Sequence, residues 1–142
     1  MDRILGIDFG SRRVGLALSD PTATIAQPLP TLKRRIGKRP PVAAIASLAL
    51  EQQVSEIVIG LPLTLEGEES EWSAEVRAFG AKLAERTSVT VAFIDERMTS
   101  VVAERTVRSL GLKRSERERK ERVDATAAVL ILQAYLDRRP RG

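Results

Sequence analysis

Four acidic residues stand beside apolar runs, where carboxylates are uncommon. Asp8 lies inside such a run, Asp95 and Glu96 directly follow another, and Asp124 opens a third. A carboxylate in apolar surroundings is unfavourable unless a cation compensates its charge. Carboxylate oxygens are also the ligands that Mg²⁺ and Mn²⁺ prefer. We therefore interpret these residues as candidate metal ligands, and weigh each against a purely structural role.

Asp8 stands near the end of the run Ile4–Phe9, just before a glycine-containing turn. In a structural role its side chain would cap the turn at Gly10, as aspartates often do. In a catalytic role it would bind a metal ion at the strand terminus, with Gly6 and Gly10 keeping the backbone clear for a phosphate. The apolar run favours the catalytic interpretation.

Asp95 and Glu96 emerge at the carboxyl end of a strand predicted over Val89–Ile94. Open α/β sheets place their ligand sites at this end of the strands. Adjacent residues of a strand point to opposite faces, so only one of these two acids can face the site. Taken alone, the pair is more typical of a solvated strand end with Arg97 paired to one acid. The other acids of the chain favour metal binding.

Asp124 begins the stretch that we expect to form the last helix. On a helix, residues 124, 127, 128 and 131 share one face, which places this carboxylate in line with an apolar stripe directed at the sheet. An acid in the first turn also complements the helix dipole, and that structural role is equally common. The small side chains of Ala127 and Ala128 allow close approach to a shared metal ion, which favours metal binding.

Two absences limit the chemistry further, because the chain contains neither histidine nor cysteine. Nucleophiles activated by histidine, zinc fingers, disulfide frameworks and haem ligation are therefore excluded. Three separated carboxylates can instead hold two Mg²⁺ or Mn²⁺ ions that activate a water molecule and stabilise a phosphate leaving group. The sequence thus predicts metal-dependent hydrolysis of phosphodiester bonds.

The hydrophobic pattern predicts the elements that would bring these acids together. Two apolar runs around a turn form a hairpin, and Pro28 and Pro30 confine the next strand to a sheet edge. Strands and helices then alternate, which favours parallel strands joined by right-handed crossovers. We expect one ribonuclease H-like α/β domain over residues 1–142, a five-stranded mixed sheet in the order β-β-β-α-β-α-β-α with helices on both faces. The predicted strands are Ile4–Phe9, Val14–Leu18, a segment within Ala23–Arg35, Glu56–Gly60 and Val89–Ile94; the predicted helices are Pro41 to about Gln53, Trp72–Arg86, Thr99–Leu110 and Val123–Ala134, with a charged loop over Lys113–Glu121.

The chain carries 23 Lys and Arg residues against 19 Asp and Glu residues, which gives a net charge of +4 and a pI near 10.0. This balance favours a polyanionic partner such as nucleic acid. Glutamates alternate with the cations after residue 113, so that segment is nearly as typical of a solvated helix entry. The candidate substrate-binding cations are Arg12, Arg13, Arg97, Lys113, Arg114, Arg117, Arg119 and Lys120, with Lys33, Arg34, Arg35, Lys38 and Arg39 as a second basic cluster.

Four motifs, in order along nearly the whole chain, carry a resemblance to a known family. They are Gly6–Gly10 with Val14–Asp20, Ile57–Leu63, Asp95–Ser100 and Val123–Ala128. On these motifs the chain resembles the YqgF/RuvX family, the Holliday junction resolvase-like proteins of bacteria. The resemblance implies a ribonuclease H-like fold, a cytoplasmic location and a nuclease that processes the 5′ end of pre-16S rRNA. It also implies an acidic site at Asp8, Glu96 and Asp124, while the residues themselves leave Asp95 as an alternative ligand to Glu96.

Three other functions remain open from the sequence. One is a Holliday junction resolvase acting on branched DNA, for which a homodimer would suit a two-fold substrate, whereas a monomer would suit a single RNA end. Another is a noncatalytic RNA-binding factor in ribosome assembly. The third is an ATPase of the actin and sugar-kinase type, which 142 residues disfavour because those proteins clamp nucleotide between two such domains. No membrane partner is expected, since no apolar run approaches the roughly 18 residues of a span.

Overall fold

The computed structural model describes residues 3–34, 39–101 and 116–139, with side chains described from residue 126 onward in the last segment. Within these residues, strands and helices follow the predicted β-β-β-α-β-α-β-α order. The strands are β1 (Arg3–Phe9), β2 (Arg13–Ser19), β3 (Ala26–Lys33), β4 (Val54–Leu61) and β5 (Thr90–Asp95); the helices are α1 (Val42–Glu51), α2 (Glu71–Thr87) and α3 (Glu116–Arg138), and a 3₁₀ turn covers Glu96–Met98.

The five strands form one mixed sheet in the order β3-β2-β1-β4-β5. β1 pairs antiparallel with β2 and parallel with β4, and β4 pairs parallel with β5. The carboxyl ends of β1, β4 and β5 therefore meet at one edge of the sheet. The predicted five-stranded mixed sheet is confirmed.

β3 is an edge strand, as its prolines predict. Pro28 pairs with Ala17 of β2, and no strand of the described residues lies on the outer side of β3. Proline has no backbone N–H to donate, so it is tolerated where a strand has a single neighbour. The side chains of β3 are correspondingly half-buried or exposed.

Helices α1 and α2 pack on one face of the sheet. Side chains alternate along a strand, so Ile7 and Phe9 of β1 both point to this face, where they are buried. The Phe9 ring stacks on Phe79 of α2 with centroids 4.1 Å apart. α2 begins at a capping box, in which the Ser70 hydroxyl accepts from the Ser73 N–H and the Ser73 hydroxyl accepts from the Ser70 N–H.

Helix α3 covers the opposite face, to which Ile4, Gly6 and Asp8 point. A Cβ on Gly6 would lie 2.6 Å from Leu132 Cβ and 3.3 Å from the Ala128 carbonyl oxygen. The lack of a side chain therefore lets the helix backbone approach β1 directly. The expectation that Gly6 keeps space for a phosphate is wrong, because α3 occupies that space.

Helix α3 begins at Glu116, inside the segment predicted as a charged loop over 113–121. That prediction is wrong from Glu116 onward. Glu, Arg and Lys are good helix formers, and opposite charges four residues apart stabilise a helix. Three such pairs occur in succession, Glu116 with Lys120, Arg117 with Glu121 and Glu118 with Arg122. Of the helix predicted over 99–110, residues 102–110 lie outside the described residues.

None of the helices in the described segments is both long enough and apolar enough to cross a membrane.

Candidate active site

Asp8 lies near the carboxyl end of β1, on the face that α3 covers. It pairs with Gly15 across the β1–β2 hairpin, and only 4% of its surface is exposed. Its neighbour Ile7 pairs with Ile59 of β4, so the next position along β1 stands beside Gly60. The strand alternation that buries the apolar side chains of β1 thus also brings a carboxylate to the sheet edge where three strands end.

Glu96 reaches the same face from the other side of β4. It directly follows β5, opens the 3₁₀ turn and is 6% exposed. The turn is fixed because the Glu96 carbonyl oxygen accepts from the Thr99 N–H at 3.0 Å and from the Thr99 hydroxyl at 2.7 Å. A Cβ on Gly60 would stand 3.0 Å from Glu96 Oε1, so the carboxylate lies directly over this glycine.

The two buried carboxylates, Asp8 and Glu96, therefore flank Gly60 on one face of the sheet. Their strands are separated by β4 alone, a distance of about 10 Å across two interstrand spacings. Because Gly60 has no side chain, the Glu96 carboxylate can lie against this strand. Ile131 of α3 also occupies this place, since its Cδ1 would lie 2.5 Å from a Cβ on Gly60.

Asp95 has a different environment. Its carboxylate accepts from Arg97 Nη2 at 2.6 Å, from Arg97 Nε, and from the Arg97 backbone N–H at 2.9 Å. These hydrogen bonds from Arg97 hold the pKa of Asp95 below its usual range. The structure brings Glu96, and not Asp95, to the face that carries Asp8.

Asp124 lies within α3, one helical turn before Ala128, but its side chain lies outside the described part of the chain. Ala128 and Leu132 pack over Gly6, and Ile131 packs over Gly60. In the described residues no group of three acidic, histidine or cysteine side chains could hold a metal ion. Of the predicted acidic site, the described side chains place Asp8 and Glu96 on the same face of the sheet.

The predicted substrate-binding cations have different locations. Arg12 is exposed in the hairpin turn and Arg13 is half-buried at the start of β2. Arg97 is paired with Asp95, and it also donates from Nη1 to the Leu65 carbonyl oxygen at 3.2 Å. In the remaining set, Lys113 and Arg114 lie outside the described residues, whereas Arg117, Arg119 and Lys120 belong to α3 with side chains that are not described.

Arg34 holds the turn that follows Asp8, a role that the sequence analysis missed. Its Nη1 donates to the Gly10 carbonyl oxygen at 2.8 Å, and its guanidinium lies 4.5 Å above the Phe9 ring. Its Nε is buried with no hydrogen-bond partner among the described residues. Arg34 was expected to contact substrate phosphates with the second basic cluster. Its side chain instead faces the fold, because Phe9 offers its guanidinium an aromatic face.

Gly10 itself is required by the turn. A Cβ at this position would lie 2.6 Å from the Arg13 carbonyl oxygen, to which the Gly10 N–H donates at 2.9 Å. The close approach of two backbone segments therefore explains this glycine without a bound phosphate.

Comparisons with known proteins identify the family. The family model of RuvX, described as Holliday junction resolvase, matches residues 2–138. The chain belongs to the RuvX family. The predicted family is thus confirmed, and with it the expected class of enzyme, a nuclease that hydrolyses phosphodiester bonds.

Relatives of this RuvX chain carry a consistent name. It is 47% identical over 137 residues to a candidate pre-16S rRNA nuclease of Koribacter versatilis, a match covering 96% of this chain and 88% of the relative. A protein of the same name from Chloroflexus aggregans is 45% identical over 136 residues, covering 96% of this chain and 94% of the relative.

A solved structure confirms the fold of the RuvX chain. Thermus thermophilus RuvC in complex with a Holliday junction substrate matches with a TM-score of 0.56 and 18% identity, covering 95% of each chain. At this identity the likeness concerns the fold alone. The predicted ribonuclease H-like fold is confirmed.

Proposed function

We propose that this RuvX chain acts as a single-domain, metal-dependent nuclease that processes the 5′ region of pre-16S rRNA. One observation supports the proposal: Asp8 and Glu96 are both buried on one face of the sheet where parallel strands end, with Glu96 over Gly60. The names of the curated relatives supply the substrate class. A cytoplasmic location follows from this role.

The residues present fit Mg²⁺ or Mn²⁺. The chain offers oxygen ligands alone because it lacks histidine and cysteine, and hard cations prefer oxygen. Asp8 and Glu96 would hold the ions, with Asp124 contributing a third carboxylate from α3. When bound, such ions activate a water molecule and stabilise the charge of the leaving phosphate.

The protein itself positions these groups. Asp8 is fixed by the β1–β2 pairing and by the turn that Arg34 holds closed. Glu96 is fixed by the 3₁₀ turn and by the glycine beneath it. Such preorganisation matters because the displacement of a catalytic group by about 1 Å can lower the rate of the reaction by roughly 100-fold.

We propose two groups of cations for substrate binding. Arg12 in the hairpin turn and Arg13 at the start of β2 are the candidate cations nearest to Asp8 along the chain. The cations of the first part of α3 and the preceding segment would contact further phosphates, each adding to affinity and to its dependence on salt. These are Lys113, Arg114, Arg117, Arg119 and Lys120.

A second candidate substrate is a four-way DNA junction. The description of the family model as Holliday junction resolvase favours it. A junction nuclease would act as a homodimer on its two-fold substrate, whereas a monomer is sufficient at an RNA end.

The decisive experiment is incubation of the pure protein, with Mg²⁺ or Mn²⁺, on precursor rRNA, unrelated single-stranded RNA, duplex DNA and a four-way DNA junction. We expect cleavage of the precursor rRNA that chelation of the metal abolishes. Preferential cleavage of the junction would assign the second function. RNA binding without any cleavage would instead indicate a noncatalytic assembly factor.

A further inference from the structure

The residues on either side of Glu96 in the sequence bind each other. Arg97 donates to Asp95 Oδ2 from Nη2 at 2.6 Å and to Asp95 Oδ1 from Nε at 3.1 Å, so the guanidinium and the carboxylate meet side by side. Asp95 Oδ1 also accepts from the Arg97 backbone N–H at 2.9 Å, which caps the 3₁₀ turn. The two neighbours of Glu96 therefore close a ring that includes its backbone.

Arg97 also joins this ring to the loop that follows β4. Its Nη1 donates to the Leu65 carbonyl oxygen at 3.2 Å. Its guanidinium fills the space that a side chain on Gly67 would need, because a Cβ there would lie 3.0 Å from Nη2 and 3.2 Å from Nη1. Each of the three guanidinium nitrogens thus donates to an oxygen of the protein, and the turn after β5 is attached to the loop after β4.

The backbone of Glu96 is held on both sides by these contacts. The Asp95–Arg97 pair holds the side that enters the turn, and Thr99 holds the other side through its two hydrogen bonds to the Glu96 carbonyl oxygen. Glu96 is buried, whereas Arg97 is exposed at the surface. The direction in which the Glu96 side chain leaves the backbone is therefore set by a pair of residues that lie outside the buried acidic site.

A second ion pair of the same chemistry provides a comparison. Arg77 of α2 donates from Nε to Glu69 Oε1 at 2.8 Å, and both side chains are about half exposed. The Asp95 carboxylate is more enclosed, with 19% of its side chain exposed against 49% for Glu69. Exposed ion pairs contribute little to stability. An effect of the Asp95–Arg97 pair on metal binding would therefore come from its place beside Glu96.

We propose that Asp95 and Arg97 are positioning residues that direct the Glu96 carboxylate as a metal ligand. This inference rests on the proposed nuclease function. It gives Asp95 a role other than that of a ligand. It also gives Arg97 a role other than the phosphate contact expected from the sequence. Groups that orient a ligand change metal affinity and activity even though they do not touch the metal.

The test combines three measurements: calorimetric titration of the metal-free protein with Mn²⁺, cleavage of precursor rRNA, and RNA affinity in EDTA across a salt series. The variants are Arg97→Gln, Arg97→Lys, Asp95→Asn and the double variant of Asp95→Asn with Arg97→Gln. The matched control is Arg77→Gln, which breaks the other arginine–carboxylate pair. Urea unfolding of each variant reports its stability.

We expect Arg97→Gln to weaken Mn²⁺ binding and to lower kcat, each by roughly 10- to 100-fold, with KM and the salt slope unchanged. Arg97→Lys should be nearly as impaired, because an ammonium group lacks the planar fork that meets Asp95 and the Leu65 carbonyl together. The double variant should be no worse than Arg97→Gln, since one substitution already breaks the pair. The urea midpoint should shift no more than it does in Arg77→Gln.

Three results would overturn the inference. A higher KM with a flatter salt slope, both restored in Arg97→Lys, would make Arg97 a phosphate contact. Weaker Mn²⁺ binding in Asp95→Asn with normal binding in Arg97→Gln would make Asp95 a metal ligand. Arg97 variants that match Arg77→Gln in every readout would leave Asp95 and Arg97 as an ordinary surface ion pair.

The same measurements separate this inference from the proposed function. If the wild-type protein cleaves no RNA while the Mn²⁺ affinities follow the expected order, the nuclease function fails and the positioning role stands. If the wild-type protein cleaves RNA and the Arg97 variants bind Mn²⁺ and cleave as well as it does, the positioning role fails and the nuclease function stands.

Discussion

The Glu96 carboxylate lies directly over the α-carbon of Gly60, so that a methyl group at Gly60 would come within 3.0 Å of Glu96 Oε1 and 2.5 Å of Ile131 Cδ1. Gly60 pairs with Ile94 inside the sheet, and β4 has a hydrogen-bonded strand on each side. The backbone at Gly60 therefore cannot move aside to make room for a side chain. Because Gly60 has no side chain, the Glu96 carboxylate and Ile131 of α3 can both contact β4 at this position.

Gly60→Ala should therefore impair both stability and cleavage. Overpacking a buried site costs about 1–3 kcal/mol of unfolding free energy, and displacement of Glu96 should lower kcat by roughly 10- to 100-fold. Urea unfolding and cleavage of precursor rRNA measure the two effects.

Ile131→Val removes the nearer clash but leaves Glu96 in place. In that background Gly60→Ala should cost less stability yet remain as inactive; equal stability costs in both backgrounds would contradict the packing argument.

Asp8→Asn should abolish metal-dependent cleavage while the protein stays folded. Asparagine keeps the size of the side chain but removes the charge that a divalent cation needs. Calorimetric titration with Mn²⁺ should show weaker binding. Asp137→Asn, an exposed position on α3, is the matched control. Wild-type cleavage by Asp8→Asn would make Asp8 purely structural.

Glu96→Gln should reduce cleavage far more than Asp95→Asn does. Glu96 is buried beside Gly60, whereas Asp95 is paired with Arg97 at the surface. Removal of a ligand should exceed the roughly 10- to 100-fold loss that supporting residues of metal sites produce. Loss of an exposed ion pair should cost at most about 1 kcal/mol of stability. Comparison of kcat for the two variants decides the ligand, and a larger loss in Asp95→Asn would reverse the assignment.

Tyr135 should titrate far above a free tyrosine. Burial, followed by its hydrogen bond to Glu56, raises the pKa of Tyr135 to about 12. The unfolded chain has a pKa of about 10 for this group. The unfolded state therefore loses its proton first, and the free energy of unfolding should fall as the pH rises between these values.

This phenol is the one tyrosine of the chain, so its ultraviolet titration reports Tyr135 alone. Glu56→Gln should shift the midpoint back toward the ordinary value, and Tyr135→Phe should remove the slope of stability against pH in this range. A native midpoint near the ordinary pKa of tyrosine would show that the contact between α3 and β4 does not form in solution.

Replacement of Arg117, Arg119 and Lys120 together by alanine should weaken RNA binding for all sequences alike. Each lost phosphate contact lowers the salt slope by roughly 0.7–0.9, so the slope should flatten by up to about 2–3. Affinity measured across a salt series gives this slope, and Mn²⁺ binding should be nearly unchanged. An unchanged slope would leave this part of α3 as a solvated helix and shift the substrate path toward Lys33 and Arg39.

Local patterns in the sequence predicted the strands and the position of Asp8, because both features depend on residues that are close together along the chain. Alternation along β1 is enough to place Asp8 on the face opposite Phe9. The prolines of β3 are enough to place that strand at an edge of the sheet. The order of elements then gives the common edge where β1, β4 and β5 end. The location of this part of the site follows from the alternation along the strands and the order of the elements alone.

Contacts between distant segments were not predictable in the same way. Arg34 lies in a basic run, and nothing in that run shows that its guanidinium will stack on Phe9 and bind the Gly10 carbonyl. The importance of Gly60 likewise depends on Ile131 and Glu96, which reach it from separate elements. The start of α3 was missed because its charged residues suggested solvent exposure, while their helix propensity and spacing favour a helix.

The position of α3 has a consequence for how the protein is made. It is the last described element in chain order, yet it covers the face to which Asp8 and Glu96 point. During translation, the sheet can form before α3 has left the ribosome, and its apolar face stays open until that helix docks. Asp124 arrives with the same helix. In the proposed enzyme, a nascent chain whose last described helix has not docked therefore lacks both the cover over Asp8 and Glu96 and the third proposed carboxylate.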